Sequence, residues 1–267
     1  MTRKAVLISA SNPPGNLPLA GPNFDLEIVR SYLMSEVGGG WHSNEIIPLY
    51  NAGYELVEAH ITSLADFEVS YVYFSGHGGN DSGRDYILLS DGCTIWVDEI
   101  ANIGRKRFVV IDACRNRSEP IIEGFAGLGD HPDFTPGNVS AGRDAFNKWI
   151  KTLGDGAIVI QACQRGGYSY DTPLGGKFTK AFYYYLSQLA KNQNPVSIAD
   201  AMRIVRDELR VDNQIPVIGF SPSWKDKWLP IAISASPKRQ VQVKENYAGI
   251  IVLGLVVGGL FYLGSQD

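Results

Sequence analysis

The chain of 267 residues is 45% hydrophobic and 19% charged, the make-up of a globular protein long enough to bury a good core. Its formal net charge of -4 and pI near 5.6 argue against nucleic acid as a partner, since such binders carry a basic excess. Three cysteines and four histidines are scattered without metal-ligand spacing, so no metal or other cofactor is expected, and an uneven cysteine count suits a reducing compartment.

Apolar runs alternate with helical patterns along the chain. Lys4–Ala10 reads as a first strand, followed by a loop rich in Pro, Gly and Asn. A helix is expected from about Asn23 to Val37, ended by Gly38-Gly39-Gly40. Glu45–Leu49 reads as a strand, Tyr54–Leu64 as a helix and Val69–Ser75 as a strand. Asp85–Leu89 and Cys93–Val97 resemble a hairpin turning at Ser90-Asp91-Gly92. Arg107–Asp112 has the unbroken apolar character of a parallel strand buried on both faces. Glu119–Ser140 is loop-like, Asp144–Leu153 a short helix and Ala157–Cys163 a further strand. Phe178–Lys191 and the stretch from Ser197, a good N-cap, to Arg210 read as helices. Gln214–Phe220 and a Trp-containing segment to Ile233 close the domain. The order implies an α/β fold with a mostly parallel central sheet and helices on both faces.

The domain is therefore assigned to residues 1–233, with a polar linker at 234–246. Tyr247–Leu263 is an uncharged apolar run near the lower length limit for a membrane span, flanked by aromatics, with Lys238, Arg239 and Lys244 before it. The expectation is a single-pass C-terminal transmembrane helix with a short 264–267 tail, the main domain facing the cytoplasm and the membrane as a partner. The N-terminal apolar run is too short for a signal peptide.

Two strings carry the chemistry. Ser75-Gly76-His77-Gly78-Gly79 follows VSYVYFS, and Asp112-Ala113-Cys114-Arg115-Asn116 follows RFVVI. A histidine and a cysteine thus sit at the ends of two strands, where open α/β sheets place their ligands. A free thiol is only a few per cent ionised near neutrality, and an adjacent imidazole can take its proton. The N–H groups of Gly78 and Cys114 can form a two-donor oxyanion hole. Cys93 and Cys163 lie in strand-like runs and read as small buried hydrophobes.

VYFSGHGG and VVIDACRN together resemble the two active-site segments of the caspase-like cysteine peptidases, a family that includes metacaspases and paracaspases. QACQRGGYSYDTPLGGKFTKAF and QIPVIGFSPSW extend the resemblance over most of Lys4–Ile233. It implies a caspase-like fold, His77 as the base and Cys114 as the nucleophile of peptide-bond hydrolysis, and a protein or peptide substrate. The family's aspartate-specific members hold a glutamine two residues before the nucleophile and two arginines in the substrate pocket. Here Asp112, Asp171 and Asp25 stand at the matching places. An acidic pocket pairs with guanidinium or ammonium, which implies cleavage after Arg or Lys, with Arg favoured by its fork geometry. Against this, Asp25 can be read as a helix cap and Asp171 as a loop charge. Compact relatives of this form are linked to defence or programmed cell death. Arg115, Arg117 and Arg143 are candidate sites of self-processing. A catalytically silent scaffold and a membrane-active C-terminal segment remain alternatives, and a homo-oligomer or an upstream activator is left open.

Overall fold

The computed structural model describes residues 1–116, 132, 134, 136–192, 195–225 and 229–233. Six strands form the main sheet: β1 (Arg3–Ala10), β2 (Ile46–Tyr50), β3 (Val69–Gly76), β7 (Lys106–Asp112), β8 (Gly156–Gln161) and β10 (Val217–Phe220). Their order across the sheet is β10-β8-β7-β3-β1-β2, all parallel except β10, which runs antiparallel to β8. The helices are α1 (Pro22–Met34), α2 (Tyr54–Thr62), α3 (Val97–Asn102), α4 (Val139–Ile150), α5 (Lys177–Asn192) and α6 (Ile198–Leu209). A three-stranded antiparallel sheet of β4 (Gly78–Asp81), β5 (Arg84–Leu88) and β6 (Thr94–Trp96) grows from the end of β3. Short strands β9 (Val196–Ser197) and β11 (Pro230–Ala232) pair beside α6.

The alternation of the strands divides the core in two. Ala5, Leu7, Tyr71, Tyr73, Phe108 and Val110 face α1, α4, α5 and α6, packing on Leu26, Phe146, Phe182 and Val205. Val6, Ile8, Val72, Phe74, Val109 and Ile111 face the other way, onto Val57 and Ile61 of α2 and Ile100 of α3. Successive strand side chains point to opposite faces, so strands covered on both sides must be apolar throughout.

Several expectations are corrected. The helix expected at Asn23–Val37 starts at Pro22 and ends at Met34, where the Ser35 N–H caps it and the chain turns through the glycines. The expected hairpin is the β5–β6 pair, but its partner β4, with the poor strand sequence Gly-Gly-Asn-Asp, was not anticipated. Val97 begins a helix rather than ending a strand. The helix expected at Asp144–Leu153 spans Val139–Ile150, capped by the Asn138 side chain. Cys93 is exposed rather than buried, whereas Cys163 is buried as expected. Of the candidate self-processing sites, Arg115 is buried and Arg143 is bound to Glu45 from within α4. Arg117 and most of the 119–140 loop lie outside the described residues. So do the 234–246 linker, the expected 247–263 span and the 264–267 tail. Among the described residues no helix is long and apolar enough to cross a membrane.

Candidate active site

β3 and β7 are neighbours in the sheet, parallel, with Ser75 opposite Asp112. His77 therefore leaves the end of one strand where Cys114 leaves the end of the next. Both line one cleft, together with Leu19, Asp112, Tyr170 and Asp171.

His77 is buried. Its Nε2 lies 2.8 Å from the carbonyl oxygen of Leu17, in the loop after β1. A carbonyl can only accept, so Nε2 carries the proton and Nδ1 is the basic nitrogen of the neutral ring. Leu17 was invisible to sequence reasoning, because its contribution is a backbone atom. The Cys114 thiol is half-buried and sits against the Ser169 backbone, 3.5 Å from its carbonyl oxygen and 3.4 Å from its nitrogen.

Gly78 opens β4. The Leu88 N–H donates to the His77 carbonyl at 2.9 Å, which makes 77 and 88 a hydrogen-bonded pair. The next pair, Gly78 and Ile87, is then a non-hydrogen-bonded one, and the Gly78 N–H points away from β5. A Cβ on residue 78 would lie 2.9 Å from Ala113 Cβ and 3.2 Å from the Cys114 carbonyl oxygen. Only glycine allows this approach between the two motifs.

The three aspartates converge beside this corner, by different means. Asp112 ends β7 and accepts from Ser169 Oγ, from the Thr179 N–H at 3.1 Å and from Thr179 Oγ1 at 2.6 Å. Burial pushes its carboxyl upward, outweighing those bonds. Asp25 lies in the first turn of α1 with no exposure. It accepts from Ser75 Oγ at 2.6 Å and from the Gly176 N–H at 2.9 Å, one layer behind the cleft wall. Burial, with Asp112 close by, holds its carboxyl well above the ordinary range. Asp25 is therefore not the free cap of its helix. Asp171 ties down the backbone that leads into α1, accepting from the N–H groups of Ala20 at 2.8 Å and Gly21 at 3.1 Å. Asp171 also lines the cleft, and burial raises its carboxyl too, against the Gly21 and Ala20 bonds and the nearby His77. Ser75, Ser169, Gly176 and Thr179 complete the acidic wall. Sequence reasoning did not single them out as pocket residues.

Among the described residues no cluster of His, Cys, Asp or Glu could hold a metal ion. Asp85 is ion-paired with Arg115.

Many solved structures share the fold, among them the following two. Caspase-1 from Spodoptera frugiperda superposes with a TM-score of 0.55 at 14% identity, covering 89% of this chain and 90% of that one. Protein GSU0716 from Geobacter sulfurreducens superposes with a TM-score of 0.57 at 17% identity, covering 88% of this chain and 100% of that one. No curated protein matches the sequence closely enough to count as a relative. The Peptidase C14 caspase-domain family model matches residues 2–227, nearly the whole described chain, and the protein belongs to that family.

Proposed function

We propose that this chain is a cysteine endopeptidase that cleaves after arginine and, less efficiently, after lysine. The observation that carries the reading is the acidic wall beside Cys114. Asp25 and Asp112 receive hydrogen bonds from hydroxyls and backbone N–H groups, and among the described residues no salt bridge reaches either. Buried carboxylates without a cation are costly, and a substrate guanidinium is a cation of the right shape to neutralise them.

The reaction follows from the groups at hand. His77 Nδ1 takes the thiol proton, and the Cys114 thiolate adds to the scissile carbonyl carbon. The Gly78 and Cys114 N–H groups receive the oxyanion. The Leu17 carbonyl holds the Nε2–H and stabilises the imidazolium, as the third member of a triad does. The imidazolium then gives its proton to the leaving amine as the C–N bond breaks. A water, deprotonated by His77, hydrolyses the thioester and frees the thiol. The apolar segment 247–263 is proposed to tether the enzyme to a membrane.

Fluorogenic peptides ending in Arg, Lys or Asp before the reporter test the reading. Hydrolysis is expected in the order Arg, Lys, then none for Asp, and none with Cys114→Ala. Cleavage of the Asp peptide alone would overturn the specificity. No cleavage of any peptide by the wild type would favour a silent scaffold.

A further inference from the structure

The residue after the nucleophile is a charge that the fold buries. The Arg115 and Asp85 side chains are 8% and 10% exposed, and Arg115 Nη2 donates to Asp85 Oδ2 at 2.6 Å. Each partner is tied further. Arg115 Nη1 donates to the Cys163 carbonyl at 3.1 Å, and its backbone N–H donates to the Gly167 carbonyl at 3.1 Å. Asp85 Oδ1 accepts from Asn80 Nδ2 at 2.6 Å, and its Oδ2 also accepts from Gln161 Nε2 at 3.2 Å. Burial raises the Asp85 carboxyl, but the bonds from Arg115, Asn80 and Gln161 outweigh it and hold the group below the usual carboxylate range.

A buried ion pair adds little stability over apolar residues of similar size, so stability is a poor reason for its presence. Its location suggests another. Asp85 stands on β5, directly across from Asn80 on β4. β4 begins at Gly78, next to His77. One end of the pair therefore belongs to the hairpin that carries the base and one oxyanion donor, and the other to the loop that carries the nucleophile. We infer that the Arg115–Asp85 pair is a positioning clamp that fixes Cys114 against the His77–Gly78 corner. The inference rests on the peptidase reading of that corner. A thiol held loosely there loses reactivity without losing the substrate pocket, because Asp25 and Asp171 lie on other elements and Asp112, though close in sequence, is held separately by Ser169 and Thr179.

Three variants of the full chain separate a clamp from a merely structural pair: Asp85→Asn, Arg115→Lys and the apolar double variant Arg115→Met/Asp85→Leu. The double variant is expected to keep a melting temperature within about five degrees of wild type, as apolar replacements of buried pairs do. Its kcat should fall about tenfold or more while KM stays within about threefold, the signature of misplaced reacting groups. Arg115→Lys should retain more kcat than the double variant. A second readout is alkylation of Cys114 by iodoacetamide in a Cys93→Ser background, where the clamp's loss should slow the reaction about tenfold. Should the double variant fail to fold, Asp85→Asn carries the test on both readouts. Retention of kcat within about twofold in a folded variant lacking the pair, or a loss confined to KM, overturns the clamp. If the wild type cleaves no peptide, the peptidase reading fails by itself and alkylation still decides, with equal rates overturning the clamp.

Discussion

Asp25 and Asp112 bury their carboxylates against the same glycine. A Cβ on residue 176 would lie 2.4 Å from Asp112 Oδ2 and 3.3 Å from Asp25 Oδ2. One carboxylate comes from the first helix and the other from the end of β7, and α5 begins just after the glycine that separates them. This acidic layer flanks the cleft that holds His77 and Cys114, and most of what can be tested about the protein follows from it.

Asp112 lines the cleft directly, and under the proposed specificity its carboxylate is the group that a substrate cation meets. Asp112→Asn keeps the shape and removes the charge. The kcat/KM for an Arg peptide should fall about a hundredfold or more, the cost of removing one partner of a buried charged contact. Steady-state kinetics on matched Arg and Lys peptides check this. An unchanged kcat/KM would sink the acidic-pocket reading.

Gly176→Ala places a methyl where Asp112 Oδ2 now sits. Residue 176 has no left-handed backbone to disturb, so the effect is steric. Either Asp112 or the pocket wall must move, and arginine-peptide KM should rise about tenfold with the fold retained. A melting curve and Michaelis–Menten kinetics on the same preparation separate loss of the pocket from loss of the fold.

The pH dependence has a definite sign. Burial raises the carboxyls of Asp25 and Asp112 in the folded chain above an unfolded value of about 3.9. Between the unfolded and folded values the native state holds more protons, so this contribution to stability is lost as pH rises through that window. Asp25→Asn should therefore gain melting temperature relative to wild type as pH rises above the ordinary carboxylate range. Binding of an Arg-containing peptide to Cys114→Ala protein should release protons, because the cation favours the charged carboxylates. Calorimetry in two buffers of different ionisation enthalpy measures the release.

The core on the α5 side has a clear weak point. Phe182 is wholly buried, stacked on Phe178 with ring centroids 5.4 Å apart and edge-on to Tyr183 at 5.2 Å. Phe182→Ala should cost about 3–5 kcal/mol, read by urea denaturation.

The expected C-terminal span makes a cell-level prediction. Removing residues 247–263 should move the protein from the membrane fraction to the soluble fraction without changing peptide hydrolysis. Equal partition of both forms on fractionation would remove the tether from the proposal.

The long strands were legible because they are covered on both faces. Runs such as VSYVYFS and RFVVI are short and rich in β-branched and aromatic residues, which marks them as buried strands, and their tips carry His77 and Cys114. β4 was not legible, since Gly-Gly-Asn-Asp has no strand propensity and pairs only because β5 and β6 are there to receive it. Cys93 misled for the opposite reason. Its neighbours look strand-like, but it stands in the turn before β6 and is exposed.

By itself the sequence determined the local order of strands and helices, the apolar faces and the chemical types at the strand ends, because periodicity and apolar runs are local properties. The fold decided which distant residues meet. Asp171 ties down the backbone just before a helix some 150 positions earlier, Asp25 reaches Gly176 just before α5, and Arg115 finds Asp85 on a hairpin strand 30 positions earlier. Hydrogen bonds and carboxyl shifts of this kind depend on burial and on partners supplied by other elements, and no pattern of neighbouring residues encodes them.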